Sequence, residues 1–413
     1  MQEENVVKNA QTTLADKRPT FLMVIKQSVP DDWGILLSAF AASYGIGLVT
    51  LLGLPYLVGS TIDGLGLSES QAGLAGTVEF LSVLISSLVI APFVNRVNRR
   101  TVAFIGVLLA ILGNLLCAIQ DGPIAYNTLL FFRAIAGLGC GLALAVGNAT
   151  LSNALDPEKM AAHMSVLFVT LMAVTMPLFA WSTDTLGYKG MYGILAVCML
   201  SVSPLLIMLP QSASENATSD ANQHGHANLF SAAAFFMLAA MFCFSLRDMS
   251  GWAFVERIGL DVGYSGSEIS FLLSAQGIIG ISGPIVASII GSRFGIKIPL
   301  SIGIITSGLV YFFMLLFPTS TVVFTVSALA IGTTYFLTLT YMLALAAELD
   351  AKGRIVAASG GFLSAGAAFG PLTGGYLVEQ FGYSNTSWFI LGMAALTLIF
   401  ALSSLQSLHR SRS

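Results

Sequence analysis

Charge is what this chain has least of. Lysine, arginine, aspartate and glutamate make up 9% of its 413 residues, against 55% that are apolar, where soluble domains carry about 25% charged residues. That scarcity excludes an ordinary water-exposed globular surface and places the chain in a bilayer. Cysteine and histidine are also rare, with four of each. Cys117, Cys140, Cys198 and Cys243 stand one by one inside apolar stretches, which excludes a disulfide frame and a thiolate metal site. His163, His224, His226 and His409 fall at the edges of these stretches or in a polar segment, and none stands at ligand spacing from a cysteine or carboxylate. There is no glycine-rich phosphate loop. No cofactor, bound metal, nucleic-acid partner or enzymatic activity is therefore expected.

What is present is a series of long hydrophobic runs, at about 34–61, 70–94, 101–119, 126–152, 162–182 and 190–209, and again at about 229–256, 268–290, 298–316, 321–346, 355–378 and 387–405. A helix rises 1.5 Å per residue, so each run is long enough to cross the hydrocarbon core. The second set repeats the first. Arg96 and Arg100 are echoed by Arg293 and Lys297, Gly106 by Gly303, Asp156 by Asp350, Pro177 by Pro371, and Gly187-Tyr188 by Gly382-Tyr383. The expected architecture is an all-α membrane protein of twelve transmembrane helices in two pseudo-symmetric six-helix bundles, with a cleft between them. Its parts are an N-terminal tail (1–32), a first bundle (33–210), a linker rich in Ser, Asn, Asp and His (211–228), a second bundle (229–406) and a C-terminal tail (407–413).

Lysine and arginine are retained on the cytoplasmic side during insertion. With the amino terminus inside, the cytoplasmic segments hold Lys8, Lys17, Arg18, Lys26, Arg96, Arg99, Arg100, Lys159, Arg293, Lys297, Lys352, Arg354, Arg410 and Arg412. Only Lys189 and Arg257 fall outside, and Arg133 and Arg247 lie within spans. Both termini are therefore expected in the cytoplasm. Trp33, Trp181, Trp252 and Trp388 all lie toward helix ends, as interfacial rings do.

Between the second and third spans the chain reads Ala91-Pro-Phe-Val-Asn95-Arg96-Val-Asn98-Arg99-Arg100, and a worn copy, Ser292-Arg293-Phe294-Gly295-Ile296-Lys297, occupies the equivalent loop of the second half. The first segment resembles the G-x-x-x-D-R-x-G-R-R signature of the major facilitator superfamily. The resemblance implies that fold, and it implies a gating role for Arg96, Arg100, Arg293 and Lys297, which would lock the cytoplasmic helix ends when the cleft faces outward. The family's acidic position is Asn95 in one copy and Ser292 in the other. A latch built here would rely on hydrogen bonds more than on ion pairs.

Arg133-Ala-Ile-Ala-Gly137-Leu-Gly139-Cys-Gly141 is similar to the superfamily's fourth-helix arginine followed by glycines, whose spacing lets helix backbones approach closely. Gly366-Ala-Ala-Phe-Gly370-Pro371-Leu-Thr-Gly374-Gly375 resembles the glycine-proline motif that drug antiporters carry in the fifth helix, but here it stands in the eleventh. The fifth span keeps only Pro177, which counts against that branch. Ala42-Ser43-Tyr44-Gly45 stands where aromatic-acid symporters would show an acidic pair.

A charged side chain at the bilayer centre costs on the order of 2.5–3.5 kcal/mol on insertion scales, so each one needs a partner or a task. Glu79 lies about ten residues, or roughly 15 Å, into the second span, and its repeat equivalent is Gln276. Matched polar residues at that depth are expected to face the cleft. Glu79 with Arg133 is the expected proton-coupling pair, since desolvation and a nearby cation act on a carboxyl in opposite senses. Arg247 is expected to attract the anionic end of a substrate, and adjacent Asp248 to pair with a different helix. Glu256 and Arg257, at a helix end, are expected at the solvated surface. Tyr44, Asn148, Trp252, Thr334, Tyr335, Thr338 and Tyr341 complete the candidate substrate-binding set together with Arg133, Arg247 and Gln276.

The expected function is secondary active transport of a small organic solute, an organic acid or related metabolite, by proton-coupled symport in a bacterial plasma (inner) membrane, the protein acting as a monomer. Proton-coupled efflux of small amphipathic compounds is the alternative, and a non-transporting membrane sensor is the rival of another class.

Overall fold

The computed structural model describes residues 32–94, 96–120, 123–151, 157–211, 231–291, 293–349 and 354–412. Asn95, Asp156, Ser292, Asp350, the tail up to 31 and linker residues 212–228 lie outside them. The described residues form helices and short connections, and ten helices are long and apolar enough to cross a membrane. Two of the ten, Pro157–Val202 and Arg354–Arg412, run 46 and 59 residues and are each broken at one glycine. Gly187 (φ 60, ψ -146) and Gly382 (φ 73, ψ 170) take left-handed backbone angles that residues with a Cβ resist. The Gly-Tyr repeat is therefore a pair of tight turns, and ten helices carry twelve spans.

In chain order these are α1 (Trp33–Leu65), α2 (Glu69–Phe93), α3 (Arg99–Ala118), α4 (Tyr126–Leu151), α5 (157–186), α6 (188–208), α7 (Ala232–Asp261), α8 (Gly266–Ile290), α9 (Lys297–Leu316), α10 (Thr321–Leu349), α11 (354–381) and α12 (383–412). The two halves also start their second helix alike. Ser68 with Gln71 caps α2, and Ser265 with Glu268 caps α8, each as a reciprocal capping box. Glycines set the helix spacing within each half. A Cβ on Gly106 would meet the Gly139 carbonyl of α4 at 2.8 Å, and one on Gly303 would meet the Thr338 hydroxyl of α10 at 2.9 Å. The residues of the repeat thus serve the same contact twice.

The halves close on each other at one end. Trp252 Nε1 donates to the Leu51 carbonyl (3.0 Å), Arg257 pairs with Asp63 (2.6 Å), the Ser70 amide donates to Glu379 (2.9 Å), and the Leu372 amide donates to the Thr77 hydroxyl (3.1 Å). One apolar cluster runs through both halves here, including Leu54, Phe179, Trp252 and Phe254. Toward the opposite, basic end the core divides into two clusters, one around Leu36 and Met160 in the first half and one around Leu300 and Tyr341 in the second. Apolar contact holds the halves together at the closed end and within each half at the basic end.

Candidate functional site

Two buried cations mark the interior, one in each half. Arg133 on α4 meets Glu79 on α2 through two nitrogens, Nη2 to Oε1 at 2.6 Å and Nε to Oε2 at 3.1 Å, and both side chains are 2% exposed. Its Nη1 donates to Asn114 Oδ1 on α3 (3.0 Å), and its guanidinium lies 4.7 Å from the Tyr192 ring centre on α6. One hydrogen bond and one close ion contact let each charge neutralise the other. Beside the pair, Leu54, Leu57 and Thr61 of α1, Ala75 of α2 and Tyr192 of α6 line a small pocket. Glu79 thus lies inside the first bundle, with its partner supplied by the same half.

Arg247 on α7 is held differently. It is fully buried, and Nη2 donates to Ser307 Oγ on α9 (3.1 Å), which in turn lies 3.4 Å from the Thr338 hydroxyl on α10. Asp248 Oδ1 is 4.0 Å from Nη2, at the limit of an ion pair. Nε and Nη1 of Arg247, Oδ1 of Asp248 and the buried hydroxyl of Tyr311 have no hydrogen-bond partner. Buried polar groups are normally satisfied, so this cluster has capacity for a ligand. Asn114 and Tyr311 stand 197 residues apart, so the same point on the third helix of each half faces a buried arginine.

Arg247 also ends a chain of aromatic rings that crosses from one half to the other. Its guanidinium lies 4.9 Å from the Phe244 ring centre, and Phe244 stacks on Tyr335 at 5.2 Å. Tyr335 meets Phe336 (5.3 Å), Phe336 meets Phe168 of α5 (6.5 Å), and Phe168 meets Tyr44 of α1 (5.0 Å). Tyr44 lies in a π-helical stretch, Ala41–Gly47, a local widening frequent at functional sites. Gly45 and Gly47 permit it, since a Cβ at either would press on Val202 or Leu144.

The structure therefore brings Tyr44, Arg247, Tyr335 and Thr338 into one region and Glu79 with Arg133 into another. Trp252 joins the closed end, and Gln276 is buried between α8 and α10 with Oε1 unpartnered. Asn148 is exposed and accepts from Ser43 (3.2 Å), whereas Tyr341 donates to carbonyls of α8, Ala287 and Gly291, both at 3.3 Å. Arg96, Arg293 and Lys297 are exposed at the basic end, while Arg100 donates to the Leu209 carbonyl at the end of α6. Sequence reasoning missed Asn114, Phe168, Tyr192, Phe244, Ser307, Tyr311 and Phe336. Their only signal is helical register relative to a charge, which an aligned repeat could have exposed for Asn114 and Tyr311. Glu256 departs from its expected surface position. It is 4% exposed, because α7 continues past Trp252 and lays this side chain against α1.

The sequence profile of the Major Facilitator Superfamily matches this chain twice, over residues 35–254 and 236–411. The chain belongs to the major facilitator superfamily. A gentisate transporter of Corynebacterium glutamicum is 24% identical over 380 residues, spanning 84% of this chain and 82% of the relative. The multidrug resistance protein MdtL of Vibrio parahaemolyticus is 29% identical over 184 residues, 42% of this chain and 44% of the relative. Among solved structures, the nucleoside transporter NupG superposes with a TM-score of 0.69 at 16% identity, covering 91% of this chain and 98% of that one. A D-xylose-proton symporter gives 0.66 at 16% identity, covering 89% and 95%. This major facilitator protein is a multi-pass membrane transporter and not an enzyme.

Proposed function

We propose that this major facilitator transporter imports a small organic acid with an aromatic or flat apolar body, coupled to protons. The observation that carries the reading is Arg247, buried with two donors open at the end of a chain of rings. A carboxylate would take the open donors, and a flat apolar body would lie along Tyr335 and Phe336 in contact with Phe168 and Tyr44 of the other half. A ligand held by both halves is what alternating access requires. Gentisate, carried by the relative that aligns over most of this chain, is an acid of this class. Proton coupling is assigned to Glu79 with Arg133, the carboxylate and cation buried against each other in the first half. The basic end is taken as cytoplasmic, in the plasma membrane of a bacterium, with the protein working as a monomer.

The test is uptake of labelled gentisate and benzoate into proteoliposomes, beside thermal shifts with acids, amines and nucleosides. Acids are expected to stabilise the protein and to accumulate under an inward proton gradient. Arg247→Gln is expected to abolish the acid-induced shift while the unliganded protein stays folded. Stabilisation by nucleosides or amines with no response to acids would overturn the reading. The efflux alternative draws on MdtL and on the purine ribonucleoside efflux pump NepI of Escherichia coli, which is 26% identical over 153 residues. It predicts accumulation against the opposite gradient.

A further inference from the structure

Glu256 belongs to neither buried network, yet it is a carboxyl enclosed where the two halves meet. It projects from the last turns of α7 in the second half onto Gly59 of α1 in the first, so closely that a Cβ at position 59 would overlap Oε2. Oε2 has no hydrogen-bond partner, and Tyr56, one turn earlier on α1, is 1% exposed. The charged and titratable groups around Glu256 come from every neighbouring element: Tyr56 and Asp63 of α1, Asp184 of α5, Arg257 and Asp261 of α7, and Tyr383 after the α11–α12 turn. Three of them are carboxylates. The one cation, Arg257, is already bonded to Asp63 at 2.6 Å. An ionised Glu256 would therefore be buried with an oxygen unpaired and with like charges facing it, the arrangement least tolerable in a low dielectric. A neutral carboxylic acid escapes both penalties.

We propose that Glu256 is a proton-binding site that governs closure of this gate: neutral, it lets the halves meet around Gly59, and ionised, it holds them apart. As the gate closes, the carboxylate takes one proton from solution, and as it opens the proton returns. Acid on that side of the membrane then favours the state described here, closed at this end, so transport would respond to pH through access to the site as well as through its driving force. The inference rests on the transport cycle of the proposed function but not on its cargo or on Glu79.

The experiment reads the gate without substrate. Thr185 of the first half and Ser267 of the second are exposed beside the contact of Asp184 with Gly266 that joins the halves at the closed end. Spin labels at Thr185→Cys and Ser267→Cys, in the full chain with Cys117, Cys140, Cys198 and Cys243 replaced by alanine, report its width in lipid nanodiscs by dipolar spectroscopy. The ratio of closed to open populations is expected to fall as pH rises, by up to tenfold per unit for one linked proton. Glu256→Gln, a fixed mimic of the neutral acid, is expected to stay closed from acid to alkaline pH. Gly59→Ala is expected to open the gate at every pH, and it supplies the answer should Glu256→Gln not fold. A pH-independent gate in the parent chain, a normal titration in Glu256→Gln, or a closed gate in Gly59→Ala would each overturn the proposal.

Discussion

Arg133 and Arg247 show how differently one residue type is treated at similar burial. Arg133 has a paired carboxylate, an amide oxygen and a ring face. Arg247 has one hydroxyl, one ring and a carboxylate at 4.0 Å. Removing one member of a buried pair strands the other charge and typically costs about 3–5 kcal/mol. Arg133→Ala is therefore expected to lower unfolding stability in detergent by about that amount, with part recovered in the Glu79→Ala, Arg133→Ala double variant. Glu79→Gln keeps the shape of the pair. It is expected to abolish proton-driven accumulation while substrate exchange persists, and unchanged accumulation would reject Glu79 as the coupling residue. The depth of these charges was legible in the sequence, because a charge inside an apolar run can be counted along the helix. Their partners were not, since Asn114 and Tyr192 are ordinary residues until the helices are packed.

At the scale of the helix, small residues separate two tasks. Gly139 on α4 would press an added Cβ into the Ala110 amide and the Gly106 carbonyl of α3, a contact inside one bundle. Gly73 on α2 would press one into the backbone of Pro371 on α11, a contact between the halves. Backbone cannot yield as a side-chain tip can. Gly139→Ala is expected to lower the melting temperature without biasing the gate. Gly73→Ala is expected to leave the melting temperature nearly intact and to widen the gate distance between labels on Thr185→Cys and Ser267→Cys. Equal effects of both variants on both readouts would contradict this division. In sequence the glycine-rich stretch 366–375 resembles a displaced drug-antiporter motif. In the fold Gly366, Gly370 and Gly374 press on α7 while Gly375 presses on α2, so one segment supports both packing within a half and closure between halves.

For the whole molecule, the apolar core is divided unevenly between its two ends. A cluster shared by both halves at the closed end and separate clusters at the basic end leave the halves in apolar contact at one side. Rocking would exchange the shared surface from one end to the other around the ring chain at mid-depth. Arg96, Arg293 and Lys297 are exposed at the basic end, where the resemblance to the superfamily signature implies that they lock the helix ends. Charge reversal at Arg96 and Arg293 is therefore expected to favour the state described here, and labelling from the side of the basic end would detect it as longer exposure of the cleft. Accumulation in sealed vesicles under imposed pH gradients of either sign fixes the direction of the cycle.

The sequence by itself determined the bilayer, the duplication and the positions of the spans, because each follows from local quantities: the length of an apolar run, the spacing of repeated residues, the depth of a charge. It also contained the turns at Gly187 and Gly382, whose backbone angles favour glycine. Only the tertiary structure decided that Glu79 turns inward to Arg133, that Arg247 ends an aromatic chain, and that Glu256 leaves the surface for the gate. Those outcomes depend on which face of each helix meets which neighbour, and in a chain apolar on almost every face, hydrophobic periodicity carries little of that information.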